Sequence, residues 1–205
     1  MEEAIDIPGS GLTLEGRLTP GTAPGGVVVT HPHPLFGGSM ANNVVWAAVR
    51  AFAARGLSAL RFNFRGVGRS TGAYGGGLEE AEDVAAALSY LTTRTPGPYF
   101  VAGYSFGAAV AARALLQGLA ADGAVFIAPP IAFMDMAFLP RVPRLKLIAV
   151  GDEDELCPVE QLEALLASRP AAAETPVAVR IIAGADHFFG GGEEELFRLL
   201  RDFPL

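Results

Sequence analysis

Cysteine is almost missing from this chain. Cys157 stands alone, which excludes an internal disulfide and leaves too few thiolates for a sulfur-ligated metal centre. Histidine is scarce as well, limited to His31, His33 and His187. Positive charge is in deficit, with 15 Lys and Arg against 22 Asp and Glu and a net charge of −7. A non-specific nucleic-acid binder needs a basic face, so no nucleic-acid partner is expected. Charged residues make up 18% of the chain and hydrophobic ones 51%, a balance that excludes intrinsic disorder. Long uncharged apolar runs are missing too. Arg50, Arg55, Arg113 and Asp122 interrupt the longest stretches before they reach the ~20 residues a bilayer requires. The opening Met1-Glu2-Glu3-Ala4-Ile5-Asp6 shows no basic segment followed by an apolar core. No signal peptide is read there, and a soluble cytoplasmic protein without a membrane partner is the expectation.

What the chain does have is glycine and apolar runs. Its 205 residues fit one domain spanning 1–205, and its 25 glycines and 15 prolines sit at the ends of apolar runs as punctuation. Strands are expected at 4–7, 12–18, 26–30, 58–64, 99–104, 123–128, 145–150 and 177–182. The second alternates apolar and polar like a half-exposed antiparallel strand. The run Val27-Val28-Val29 reads as a strand buried on both faces. Asn42 or Asn43 can cap a helix ending near Arg55. Further helices are expected from about Glu79 to Arg94 and over 106–119, 159–168 and 193–203. Strand followed by helix, six times over, implies a three-layer α/β/α sandwich with a mostly parallel sheet.

Gly103-Tyr104-Ser105-Phe106-Gly107 is a G-x-S-x-G sequence. In a nucleophile elbow, such a serine occupies a strained turn between strand and helix. Gly68-Arg69-Ser70-Thr71-Gly72 repeats the pattern, but only Ser105 lies between an apolar strand and an Ala-rich helix. Ser105 is therefore the expected nucleophile and Ser70 a loop residue. A serine hydroxyl needs a base. His187 follows the last expected strand, at the edge where strand C-termini gather and ligands bind in open α/β sheets. The base needs an acid. Asp152, Glu153, Asp154 and Glu155 lie between serine and histidine in the chain, and Asp186 adjoins the histidine. Backbone donors for an oxyanion would come from Phe106, just after the nucleophile, and from the loop His31-Pro32-His33-Pro34-Leu35-Phe36-Gly37-Gly38. The prolines there have no N–H, which leaves His31, His33, Leu35 and later residues.

With these parts in order, the chain resembles an α/β-hydrolase. The resemblance is nearest to a bacterial subgroup of small, capless members. It rests on the HPHP…GG loop, the Asn42-Asn43 pair, Arg61-Phe62-Asn63-Phe64-Arg65-Gly66 and GYSFG. Gly151-x-x-Asp154-x-x-x-Pro158 is similar to the superfamily's acid loop, which implies the acid role for Asp154, with Asp152 as the alternative. By analogy with the residue after a His-Gly pair, Leu35 is the expected second oxyanion donor. The resemblance implies hydrolysis of a small-molecule carboxylic ester or thioester through an acyl-enzyme, with no cofactor and no metal. Peptidase activity shares the same triad.

The stretch between Ala128 and Leu145 is too short for a cap domain. It can supply wall residues such as Phe133 and Met134, joined by Phe36 and Tyr104. An apolar patch near Phe138 is compatible with a homodimer. Three other readings compete. His31-x-His33 has metal-ligand spacing and with His187 would suit a metal-dependent hydrolase. Gly66-Val67-Gly68 would suit a phosphate loop, though no helix opens on it. The fold could also serve as a non-catalytic binding module. Cys157, followed by Pro158, reads as a small buried residue rather than a nucleophile.

Overall fold

The computed structural model describes residues 1–170 and 176–205. β1 (Glu3–Pro8) and β2 (Thr13–Thr19) form an antiparallel pair at one edge of the sheet. β3 (Gly26–Thr30), β4 (Ser58–Phe62), β5 (Tyr99–Tyr104), β6 (Gly123–Ile127), β7 (Leu145–Gly151) and β8 (Ala178–Ile182) run parallel to one another. Across the sheet the order is β1-β2-β4-β3-β5-β6-β7-β8. Parallel strands need crossovers that cover both faces, so the central strands are apolar throughout. β3 illustrates the consequence. Its Val27 and Val29 belong to one core, and Val28 to the other.

On the Val27 side the sheet is covered by α1 (Asn43–Ala54) and α5 (Glu193–Asp202), whose Leu196 and Leu200 are buried. On the Val28 side lie α2 (Glu80–Thr92), α3 (Phe106–Leu116) and α4 (Val159–Leu166). α1 starts where it does because the Asn42 side chain accepts the N–H groups of Val44 and Val45 at 2.9 and 3.4 Å. α3 buries Ala108, Ala109, Ala111 and Ala112 completely, and their small side chains let its axis sit close to the sheet. The sandwich without a cap is the architecture that the strand and helix pattern implies.

Two expectations change. The repeat of strand then helix does not run six times. Among the described residues, no α-helix joins β6 to β7. Pro129, Pro130, Pro140 and Pro143 break that segment, and only a short 3₁₀ turn, Leu139–Arg141, forms in it. β4 also stops at Phe62 instead of 64. The Asn63 N–H turns to the Glu15 carbonyl at 2.8 Å, and the Phe64 N–H goes to His31 Nε2 at 3.0 Å.

That second bond makes His31 a fastener between the ends of β3 and β4. Its Nε2 accepts from Phe64, so the ring hydrogen sits on Nδ1, which donates to the Pro32 carbonyl at 2.6 Å. The ring is fully buried and meets Phe64 edge-on at 4.6 Å. Burial penalises the imidazolium and lowers the pKa from 6.5 to about 4. The unfolded chain therefore binds a proton that the folded chain refuses between those values. Stability from neutral His31 is complete above pH 6.5 and is lost as pH falls towards 4. The loss amounts to roughly 3 kcal/mol. Thermal unfolding followed from pH 7 down to pH 4.5 should show the midpoint falling, and His31→Gln, which cannot titrate, should flatten that slope. An equal slope in both proteins would contradict this role for His31.

Candidate active site

The C-terminal ends of β3, β5, β7 and β8 converge on one cavity of about 460 Å³. Ser105 joins β5 to α3 with φ 53° and ψ −122°, a conformation that L residues avoid. The turn is tight enough that neither flanking glycine tolerates a side chain. A Cβ on Gly103 would lie 2.6 Å from Ala108 Cα. One on Gly107 would lie 2.5 Å from Thr30 Oγ1 and 2.7 Å from the His31 carbonyl oxygen. The G-x-S-x-G spacing is thus the steric condition for this elbow. Ser105 N–H is anchored on the Ile127 carbonyl at 2.9 Å.

Ser105 Oγ lies 2.9 Å from His187 Nε2, and His187 Nδ1 lies 2.9 and 3.0 Å from the two Asp154 oxygens. A carboxylate only accepts, so the Nδ1 hydrogen points at Asp154 and the bare Nε2 accepts from the serine hydroxyl. All three side chains are buried. Asp154 Oδ1 also accepts the N–H groups of Leu156 and Cys157 at 2.9 and 2.8 Å, which fixes the carboxylate before the histidine meets it. His187 is fixed through its backbone. The Tyr104 hydroxyl donates to the His187 carbonyl at 2.9 Å, a contact with no signature in the sequence beyond the aromatic residue in the elbow.

Two of the other acids are engaged elsewhere, and Glu153 and Glu155 are exposed. Asp152 accepts the Gly184 N–H at 2.6 Å, and Asp186 turns back to the Phe188 N–H at 2.9 Å. Ser70 donates to the Asn63 carbonyl at 2.7 Å and accepts from Glu15 N–H, so it ties loop to strand and faces no base. The Cys157 thiol is buried, and that burial pushes its pKa up, away from the thiolate.

The loop after β3 differs from expectation. Leu35 N–H is spent on His33 Nδ1 at 3.2 Å, and the residue is 68% exposed and does not line the cavity. The N–H groups of Phe36 and Gly38 go to the His33 carbonyl, and that of Gly37 goes to the Pro34 carbonyl. Among the described residues, the His33 N–H has no acceptor, and His33 lines the cavity beside Ser105 and Phe106. Phe106 N–H, at the first position of α3, has no acceptor within its helix either. The side chains of His31 and His33 also part company. His31 is committed to Phe64 and Pro32 in the interior, whereas the His33 ring packs at a tilt against Phe106 at 4.6 Å. They form no common ligand pair, which removes the basis of the metal reading.

Phe36, Tyr104, Phe133 and Met134 all line the cavity, together with Leu156 and Phe188. The Phe36 and Phe133 rings meet edge-on at 5.9 Å and stay 73% and 53% exposed. Among the described residues, no carboxylate lines this wall, and no helix is long and apolar enough to cross a membrane.

Residues 37–149 match the family model described as serine aminopeptidase, S33. An uncharacterized protein of Rickettsia prowazekii, RP471, is 33% identical over 199 residues, covering 93% of this chain and 83% of its own. The structure of an α-β serine hydrolase homologue from Coxiella burnetii is similar with a TM-score of 0.87 and 36% identity, covering 97% of this chain and 95% of that one. XC6422 from Xanthomonas campestris, described as an α/β serine hydrolase without lid, is 29% identical with a TM-score of 0.81, covering 98% of this chain and 92% of that one. With more than half of its length matched and relatives above 30% identity along nearly all of it, the chain belongs to the serine aminopeptidase S33 family of α/β serine hydrolases.

Proposed function

We propose that this chain is a serine esterase that cleaves uncharged carboxylic esters through an acyl-enzyme. The observation that carries the reading is the continuous hydrogen-bond chain from Ser105 Oγ through His187 to Asp154, each link 2.9 to 3.0 Å. Ser105 Oγ attacks the ester carbonyl carbon while its proton passes to His187 Nε2. Asp154 stabilises the imidazolium that results. Negative charge develops on the carbonyl oxygen, where the N–H groups of Phe106 and His33 are the donors on hand. Each such donor is worth about 3 kcal/mol to the transition state. His187 then gives its proton to the departing alcohol. A water molecule, deprotonated by the same histidine, attacks the acyl carbon and releases the acid, and the proton returns to Ser105.

The wall supports an ester with an apolar acyl group. Phe133, Phe36 and Phe188 offer ring faces, and the cavity volume suits a small ligand. A free α-ammonium, as on a peptide N-terminus, would find no carboxylate among the described lining residues.

A fluorophosphonate should label Ser105 in the wild type and leave Ser105→Ala unlabelled. Turnover of p-nitrophenyl butyrate by Ser105→Ala should fall by about 10³-fold or more with its fold retained. Labelling at another residue, or retained turnover, would overturn the assignment. Asp154→Asn should lower kcat by about 10³-fold or more while leaving KM near the wild-type value, because the histidine loses its tautomer and its counter-charge. Phe133→Ala should raise KM several-fold for hexanoyl esters, as burial of a phenyl ring is worth about 2 kcal/mol at most here. Acetyl esters should be nearly unaffected. Equal effects on both chain lengths would place the acyl group elsewhere.

A further inference from the structure

Residues 74–80, Tyr74-Gly75-Gly76-Gly77-Leu78-Glu79-Glu80, lead into α2. Three consecutive glycines have no side chains to hold them, yet this loop is pinned. Glu80 is fully buried, and among the described residues no Lys or Arg is paired with it. Its Oε1 accepts Gly75 N–H and its Oε2 accepts Gly77 N–H, both at 2.7 Å. The charge sits on the first residue of α2, where the helix dipole favours an anion. Arg113 adds a bond to the Gly77 carbonyl at 3.1 Å. The consequence is a fixed position for Tyr74, the residue just before the tract.

Tyr74 Oη lies 3.2 Å from His33 Nε2. The other ring nitrogen, Nδ1, accepts Leu35 N–H at 3.2 Å and therefore carries no hydrogen in the neutral ring. The hydrogen is on Nε2 and points at the Tyr74 oxygen, which accepts it. The His33 ring is further clamped by Phe36 at 4.9 Å and Phe106 at 4.6 Å. A ring held in this tautomer fixes Leu35 N–H, and with it the turn that carries the His33 backbone. If the other tautomer formed, or the ring were protonated, an N–H on Nδ1 would face the Leu35 N–H and that bond would break.

We propose that Tyr74, seated by Glu80, is a positioning residue for the oxyanion loop, holding His33 in the Nε2–H tautomer so that the loop keeps its N–H groups in register with Ser105. This rests on the serine hydrolase reading above. Burial acts in the same direction, since it lowers the His33 pKa and favours the neutral ring, opposed by the Glu80 charge. Among the described residues, the charged groups that act on this pair are Glu80, on both His33 and Tyr74, and Arg113, on Tyr74.

The test is Tyr74→Phe, which keeps the ring and removes the acceptor, with Glu80→Gln as a second variant acting through the same loop. Each is compared with wild type for kcat and KM on p-nitrophenyl butyrate, for thermal midpoint, and for inhibition by a short-chain trifluoromethyl ketone. That ketone adds to Ser105 Oγ and places its oxyanion where the tetrahedral intermediate would. Tyr74→Phe should lower kcat about tenfold and weaken the ketone by a similar factor, with KM within about twofold of wild type. A side chain that only supported the fold would shift the thermal midpoint without that parallel loss. If kcat and ketone affinity both stay within about twofold of wild type in a Tyr74→Phe protein that labels normally, the positioning role is wrong. If wild-type Ser105 itself resists the fluorophosphonate, the hydrolase reading fails, and the proposal fails with it.

Discussion

The structure turns on one strained residue. Ser105 holds a left-handed φ between a central strand and a buried helix, a conformation costing on the order of 1–3 kcal/mol. It persists because its surroundings leave no alternative. β5 is hydrogen-bonded on both sides, to β3 and to β6, and α3 presses alanines against the sheet. Relaxing the turn would mean lifting α3 off the core. The strain aims Oγ out of the sheet edge, into the cavity and at His187.

Everything else at the site is arranged around that point by loops from neighbouring strands. The loop after β7 carries Asp154, locked by two N–H groups of its own turn. The segment after β8 carries His187, whose backbone is tied to Tyr104 in the elbow itself. The loop after β3 supplies His33. These segments have no regular ladder of their own, so side chains fix them: Asp154, Tyr104, Asp152 on Gly184 N–H, and Glu80 on the glycine tract. A rigid sheet with individually stapled loops gives a precise constellation without a cap domain.

The sequence was informative where chemistry follows local pattern. Val27-Val28-Val29 reads as a strand buried on both faces and is one, and the small residues after Ser105 separated the elbow from the second G-x-S-x-G at Ser70. It was silent where a side chain in one segment decides the backbone of another. Which N–H of the HPHP loop stays unengaged depends on the His33 ring taking the Leu35 N–H, and it is His33, not Leu35, that lines the cavity. No periodicity encodes that bond. His31 likewise looked like half of a metal pair, and its true partner, the Phe64 N–H, exists only because β4 ends two residues early. Nothing local in Gly75-Gly76-Gly77 announces that the buried Glu80 carboxylate holds it.

The most direct measurement of the central claim is the first turnover itself. Rapid mixing of the enzyme with p-nitrophenyl acetate, followed by acid quench and mass analysis of the peptides, reads both the burst and its location. A stoichiometric burst of p-nitrophenol with the acetyl group on the peptide bearing Ser105 is the predicted result. Steady hydrolysis with no acyl adduct, or an adduct confined to another residue, would contradict it.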